Sequence, residues 1–353
     1  MRTLIRPTGF VDSPFGHDGK VARLAGGLNW FAQAELIHAN GTRELVPVEG
    51  IESRCDDAMA SDWERLTSQR TPLAMGERTI RLDQPQVMGI VNVTPDSFSD
   101  GGAYADLNVA AFAGADMATA GAAILDVGGE STRPGAKPVW EGDEIDRVLP
   151  VVQRLAGGGN AVSIDTRKAA VADAALTAGA RLVNDVSAMT YDASMAEFVA
   201  ASEAPIVLMH HQGDPQTMQD DPHYADVLVD VFHWLEERIG AAEAAGIARD
   251  RILVDAGIGF GKTVAHNLAL LNGLALFHGL GCPIVIGASR KRMIGALSNE
   301  APADKRLAGS IALALKAAEQ GAQVIRVHDV PETVQALKVW RGLRDQALTP
   351  RSN

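Results

Sequence analysis

The chain reads as an α/β protein, and more narrowly as a (β/α)8 TIM barrel with an N-terminal extension. Three observations carry that expectation. Short apolar, β-branched runs recur eight times beyond about residue 86. Ala-rich stretches of helical character separate them. The repeat from run to run is about 25 to 45 residues, the length of a βαβ unit, and eight units in about 265 residues suit a barrel of about 250. A doubly wound open sheet is the competing arrangement.

Residues 1–75 stand apart as an extension of unassigned role. Their pattern is irregular, with many charges and scattered aromatics (Phe10, Phe15, Trp30, Phe31, Trp63). The barrel is assigned to residues 76–348. Its strands are expected at 87–91, 123–127, 161–164, 181–183, 205–209, 251–254, 283–286 and 323–327. These runs are apolar on both faces, as strands of a fully covered parallel sheet must be. Helices are expected over 107–120, 143–156, 168–178, 224–245, 264–278 and 303–320. The connections after the first and second strands are long for βα loops, which usually have about two to six residues, and read as binding loops or lids.

Composition narrows the function. Thirty-two Lys and Arg stand against 44 Asp and Glu, a net charge of −12. That balance argues against a broad nucleic-acid surface, though not against a local basic pocket for a small anion. Two cysteines, Cys55 and Cys282, allow at most one bridge and no zinc cluster. The first residues lack the apolar stretch of a signal peptide, and no run approaches the roughly 20 apolar residues of a membrane span. The expectation is a soluble, cytoplasmic protein that binds no nucleic acid and no membrane.

Active sites of such barrels lie at the C-terminal ends of the strands. The residues just after the runs are Asn92, the segment 128–135, Asp165, Asn184, His210, Asp255, the triplet Ser289-Arg290-Lys291, and Arg326 with His328. Their concentration on one rim is a stronger signal than any one of them.

Several of these stretches together resemble dihydropteroate synthase. They are Met88–Gly102 (MGIVNVTPDSFSDGG), Asp126–Gly135 (DVGGESTRPG), Ser163–Thr166 (SIDT), Asn184–Val186 (NDV), Leu208–His210 (LMH), Gly257–Lys262 (GIGFGK), Ser289–Lys291 (SRK) and Arg326–Val330 (RVHDV). They fall in the family's order and cover roughly residues 78 to 345, leaving the extension outside. One departure is Asp255-Ala256-Gly257, where the family usually has Asp-Pro-Gly. The resemblance implies condensation of (7,8-dihydropterin-6-yl)methyl diphosphate with 4-aminobenzoate, giving 7,8-dihydropteroate and diphosphate. It also implies Mg2+, sulfonamide sensitivity and, by family analogy, a homodimer.

The residues fit that chemistry. A pterin edge of N–H donors and ring acceptors calls for buried carboxylates and an amide, which Asp165, Asn184 and Asp255 supply. Helix N-capping is the alternative role for the two Asp residues. Arg326 and His328 lie where barrels often bind phosphate, and Arg offers a fork to its oxygens. Asn92 is the expected carbonyl ligand of Mg2+, a cation that favours oxygen donors. Lys291 is expected to lay its stem on the pterin, with a solvated helix start as the alternative. Thr132, Arg133, Pro134, Phe260 and Ser289 are expected around 4-aminobenzoate, although Arg133 equally suits the diphosphate. Met209, Gly287 and Val327 complete the expected substrate contacts. The catalytic set is then Asn92, Arg133, Lys291, Arg326 and His328.

Two strings point elsewhere. Ala256–Thr263 nearly spells a phosphate-binding loop ending in Lys262, lacking only the first glycine, but it follows the sixth strand-like run, where Asp255 already has a role, and the likeness is read as accidental. The pair His210-His211 could bind metal, but structural or substrate-lining roles are preferred. The functional alternatives are a methyltetrahydrofolate-dependent corrinoid methyltransferase-like protein and a non-catalytic pterin-binding protein.

Overall fold

The computed structural model describes residues 2–93, 103–131, 138–213 and 217–349, with backbone alone for 103–106. Eight parallel strands close into a barrel. In chain order they are β7 (Gln86–Asn92), β8 (Ile124–Gly128), β9 (Val162–Asp165), β10 (Leu182–Asp185), β11 (Ile206–Met209), β12 (Ile252–Asp255), β13 (Ile284–Ile286) and β14 (Val324–Val327). Each pairs with its neighbours in sequence, and β14 returns to β7. Strands β8 to β13 are buried along their whole length, as suits their largely apolar sequences, with polar residues confined to a few positions such as Asp126, Ser163 and the strand ends. The preferred barrel, not the open sheet, is the observed fold.

Nine helices surround these strands among the described residues: α2 (Ala103–Ala120), α3 (Glu141–Gly157), α4 (Ala169–Thr177), α5 (Met195–Ser202), α6 (Val227–Ala244), α7 (Val264–Asn272), α8 (Arg292–Leu297), α9 (Leu307–Glu319) and α10 (Val330–Leu348). The helix expected over 264–278 is shorter. It stops at Asn272 before Gly273, and residues 274–280 continue as a 3-10 turn. The two long βα connections lie largely outside the described residues, at 94–102 and 132–137.

The N-terminal end of the barrel is sealed. One residue at or near the start of every strand (Met88, Ile124, Ala161, Leu182, Val207, Leu253, Val285 and Val324) joins a single buried apolar cluster. Leu73, Met75, Ile80 and Leu82 belong to the same cluster. Leu73 and Met75 lie on β5 (Leu73–Met75) and Ile80 on β6 (Arg78–Ile80), an antiparallel hairpin that plugs this end. The expected limit between residues 75 and 76 falls inside that hairpin.

The region with an irregular sequence pattern contains a regular sheet. Strands β1 (Leu4–Val11) and β4 (Arg43–Pro47) flank β3 (Trp30–Ile37), and β2 (Ala22–Arg23) pairs with the start of β3. Helix α1 (Asp57–Thr67), capped by the Asp56 carboxylate on the Met59 amide, completes the unit. Its core includes Ile5, Phe31, Leu36, Val46, Ile51 and Leu66, and Ala275 of the barrel enters it. The unit is also tied by polar contacts. Asn29 Nδ2 donates to the Ala318 carbonyl (2.7 Å), and Arg70 Nη2 to that of His278 (2.9 Å). Among the described residues, no helix is long and apolar enough to cross a membrane.

Candidate active site

Strand register delivers the polar rim. Asn92 lies opposite Gly128, Gly128 opposite Asp165, and Asp165 opposite Asn184. Across the barrel, Met209 lies opposite Asp255. Seven of the eight strands thus end near the C-terminal mouth in a polar residue or a glycine of the expected set, or run directly into it, as β13 does at Gly287.

At the centre stands Arg326 on β14. Its Nε donates to Asp126 Oδ2 and its Nη2 to Asp165 Oδ2, both at 2.6 Å. Asn184 Nδ2 donates to the same Asp126 oxygen at 2.9 Å. Burial lowers the Arg326 pKa, but the two carboxylates outweigh it, so the guanidinium is held more firmly charged than usual. Asp165 responds the other way. Burial pushes its carboxyl up to about 7, Arg326 opposes the rise, and Asp126 and Glu144 add to it. Asp126 Oδ1 is buried and lacks a hydrogen-bond partner among the described residues. It is an acceptor inside the mouth, waiting for a donor.

Asp255 ends β12, fully buried. Its Oδ1 accepts the Gly257 amide at 2.7 Å, so the turn forms with Ala256 in place of the family's usual proline. Burial raises its pKa, and the nearby Lys291 pulls it back. Neither Asp165 nor Asp255 caps a helix. Lys168 occupies the N-cap of α4 and Thr263 that of α7.

Lys291 is not a solvated helix start. Its Nζ donates to the Ile258 carbonyl and stands 4.5 Å from the centroid of the Phe260 ring. Burial lowers its pKa to about 8 against the opposing pull of Asp255. Ser289 Oγ accepts the His328 amide at 3.2 Å and lies 3.1 Å from His328 Nδ1, fixing that ring beside β14. A Cβ added at Gly287 would stand 3.9 Å from Arg326 and 4.0 Å from Asp255, so this glycine borders both. Met209 and Val327 are buried at their strand ends, and Asn92 is half-buried at its own. Thr132, Arg133 and Pro134 lie outside the described residues.

The phosphate-loop likeness does not survive folding. Such a loop presents free amides to an anion, whereas here the Gly257 amide is taken by Asp255, that of Gly259 by Asn267 Oδ1 (2.7 Å) and that of Phe260 by the Gly257 carbonyl (3.1 Å). Lys262 turns inward to His210 Nδ1 at 2.8 Å. His210 is buried, and burial with Lys262 nearby drops its pKa to about 2. No group of three or more His, Cys, Asp or Glu among the described residues could hold a metal. For Mg2+ the rim therefore offers an isolated oxygen, the side-chain carbonyl of half-buried Asn92 at the end of β7. That fits a cation which usually keeps waters and substrate phosphates.

Sequence reasoning passed over Asp126 as a site residue, while its reading of the phosphate-loop likeness at Lys262 as accidental agrees with the fold. A carboxylate inside the apolar run Ala123–Val127 was the available signal for Asp126. A buried ion network lay unread beside it: Lys168 Nζ bridges Glu130 (2.9 Å) and Glu144 (2.5 Å), and Arg167 also pairs with Glu130.

The sequence and fold have close counterparts. The family profile "Pterin binding enzyme" matches residues 88–328. Dihydropteroate synthase of Escherichia coli K12 is 47% identical over 262 residues, covering 74% of this chain and 92% of that protein. The enzyme of Neisseria meningitidis serogroup B is 46% identical over 273 residues, 76% of this chain and 96% of that protein. Among solved structures, Yersinia pestis dihydropteroate synthase with a sulfonamide drug complex superposes with a TM-score of 0.74 at 46% identity, covering 78% of this chain and 100% of that one. The Xanthomonas albilineans enzyme in complex with 7,8-dihydropteroate gives 0.72 at 44% identity, covering 79% and 100%. With its barrel, its rim and these relatives in agreement, the chain belongs to the dihydropteroate synthase family of pterin-binding enzymes.

Proposed function

We propose that the protein condenses (7,8-dihydropterin-6-yl)methyl diphosphate with 4-aminobenzoate, releasing 7,8-dihydropteroate and diphosphate. The observation that carries this reading is the buried acceptor set around Arg326: Asp126, Asp165, Asn184 and, across the mouth, Asp255. A pterin edge rich in N–H donors matches such a set, and few other small molecules do. The complexes of related enzymes with 7,8-dihydropteroate and with 4-aminobenzoic acid support the same substrates.

The chemistry then needs little beyond charge and position. The bond from the methylene carbon to the diphosphate oxygen breaks, and the arylamine nitrogen donates its lone pair to that carbon. The nitrogen's proton leaves to water. Arg326 and His328 face the departing diphosphate from the end of β14, where fixed positive charge stabilises developing negative charge. Lys291 lays its stem along the pterin, and the Phe260 ring beside it forms the wall along which the arylamine approaches. Thr132, Pro134 and Ser289 are assigned to the same side, and Arg133 to either the diphosphate or the arylamine. Met209, Gly287 and Val327 enclose the pterin. Mg2+ would be held by Asn92 and would supply further positive charge to the diphosphate.

A homodimer follows from the family likeness, with sedimentation as its check. A cytoplasmic setting fits two free cysteines, one of them buried. The function itself is tested by incubating the purified protein with both substrates and Mg2+. One 7,8-dihydropteroate per diphosphate is expected, and diphosphate release independent of 4-aminobenzoate would refute it.

A further inference from the structure

Of the Gly-rich loop ending in Lys262, the reaction as proposed uses only the Phe260 side chain. The conformation of the loop is fixed at every carbonyl from residue 257 to 261. The Gly257 carbonyl accepts the Phe260 amide (3.1 Å) and the Ile258 carbonyl accepts Lys291 Nζ. Gln219 Nε2 donates to the Gly259 carbonyl (2.6 Å), Lys262 Nζ to that of Phe260 (2.9 Å), and the Tyr224 hydroxyl to that of Gly261 (2.8 Å). The loop also lies flat against the end of β11. A Cβ on Gly257 would meet the His210 carbonyl at 1.8 Å and one on Gly261 the Gln212 carbonyl at 2.4 Å, and both glycines have positive φ.

Lys262 closes this arrangement. Its residue is buried, and its Nζ sits between His210 Nδ1 and the Phe260 carbonyl, joining two neighbouring strand ends. Burial lowers the pKa of Lys262 and of His210 alike, so the contact is a buried hydrogen bond between amine and imidazole and not an ion pair. The ring is held edge-on against Trp234, with centroids 4.8 Å apart. The residue that anchors Lys262 through its carbonyl also carries the side chain that matters for chemistry, since Lys291 Nζ stands over the Phe260 ring.

We propose that Lys262 is a positioning residue for the condensation: by pinning the Phe260 carbonyl to His210 it sets the Phe260 ring against Lys291, and so shapes the subsite for the arylamine carboxylate. The proposal rests on the assignment of Phe260 to the 4-aminobenzoate side. It implies that Lys262 acts on the arylamine far more than on the pterin, because the pterin acceptors Asp126, Asp165 and Asn184 hang from other strands and Asp255, on the strand that enters this loop, is held independently by the Gly257 amide.

The test is steady-state kinetics on Lys262→Met, Phe260→Leu and the double variant, varying each substrate in turn. Lys262→Met is expected to raise KM for 4-aminobenzoate about tenfold while KM for the pterin diphosphate stays within about twofold. Phe260→Leu should act in the same direction, and the double variant should add little, since both substitutions act through one ring. Equal rises in both KM values, or additive effects, would overturn the proposal by reducing Lys262 to a general stabiliser. If Phe260→Leu raises KM for 4-aminobenzoate and Lys262→Met does not, the positioning role falls and the subsite assignment stands. If Phe260→Leu leaves that KM unchanged, the subsite assignment falls and the proposal with it. Should Lys262→Met not fold, His210→Leu removes the hydrogen-bond partner of the same Nζ and must show the same split between substrates.

Discussion

The two ends of the barrel use the same eight strands for opposite purposes. At the N-terminal end, Met88, Ile124, Leu182, Val207, Leu253, Val285 and Val324 pack under the hairpin in a buried cluster with no charged member. At the C-terminal end, a few residues further along the same strands, Asp126, Asp165, Asp255, Lys291 and Arg326 are crowded together. Apolar burial stabilises by about 25 cal/mol per Å², whereas burying an ion costs several kcal/mol unless it is well paired. The comparison teaches where stability and function are kept: the plugged end holds the barrel closed, and the charged mouth draws on that rigidity.

Removing the central cation should break the mouth most severely. Arg326→Met leaves Asp126 and Asp165 facing each other without their guanidinium. Activity should fall about 10²–10³-fold, and urea unfolding should show a loss of about 3–5 kcal/mol, less whatever protonation of Asp165 relieves. Near-normal turnover would show that the network is structural only.

The opposite result is expected at the other end. Met75→Ala opens a cavity in the hairpin plug and should cost about 2–5 kcal/mol by urea unfolding. KM for both substrates should stay within about twofold of the parent. A KM that moved with stability would mean the two ends are not independent.

The smallest expected effect is on pH. Asp165 is raised to about 7 from a usual value of 3.8, so the ligand-free fold holds a proton that the unfolded chain gives up. Stability without substrate should therefore decline as pH rises from about 4 to about 7, and flatten above it. Pterin binding should run the other way, because the ionised carboxylate is the better acceptor, and gain about tenfold between pH 6 and 8. Loss of the Lys291 proton, whose pKa is lowered to about 8, should bend kcat/KM down again on the alkaline side. A flat acid limb would remove Asp165 from substrate binding.

Much of this was legible in the sequence because a buried parallel strand must be apolar throughout, so a polar residue at its end announces the rim. That rule placed Asn92, Asp165, Asn184, Asp255 and Arg326 correctly on the mouth. It overlooked Asp126 because this carboxylate lies inside its run, two residues before the strand end. It read the phosphate-loop likeness ending in Lys262 as accidental, and the folded loop agrees. A string of glycines gives residue order, but not which amides are already hydrogen-bonded, and here those at 257, 259 and 260 are spent within the loop. The N-terminal sheet escaped because β1 contains Pro7 and Gly9 and pairs with a strand some distance along the chain, while β3 buries Phe31, Ala34, Leu36 and Ile37 without regular alternation. The Thr132–Pro134 segment lies outside the described residues.

The most direct test of the division between the two ends is calorimetric titration of the pterin diphosphate into the parent protein, Asp255→Asn and Met75→Ala. Asp255→Asn swaps an acceptor for an NH2 group where ring donors must be met, and should weaken binding by about 1–3 kcal/mol. Met75→Ala, though less stable, should bind like the parent. Unchanged affinity in Asp255→Asn, or an equal loss in both variants, would contradict the reading of the mouth as a pterin site held by an independent plug.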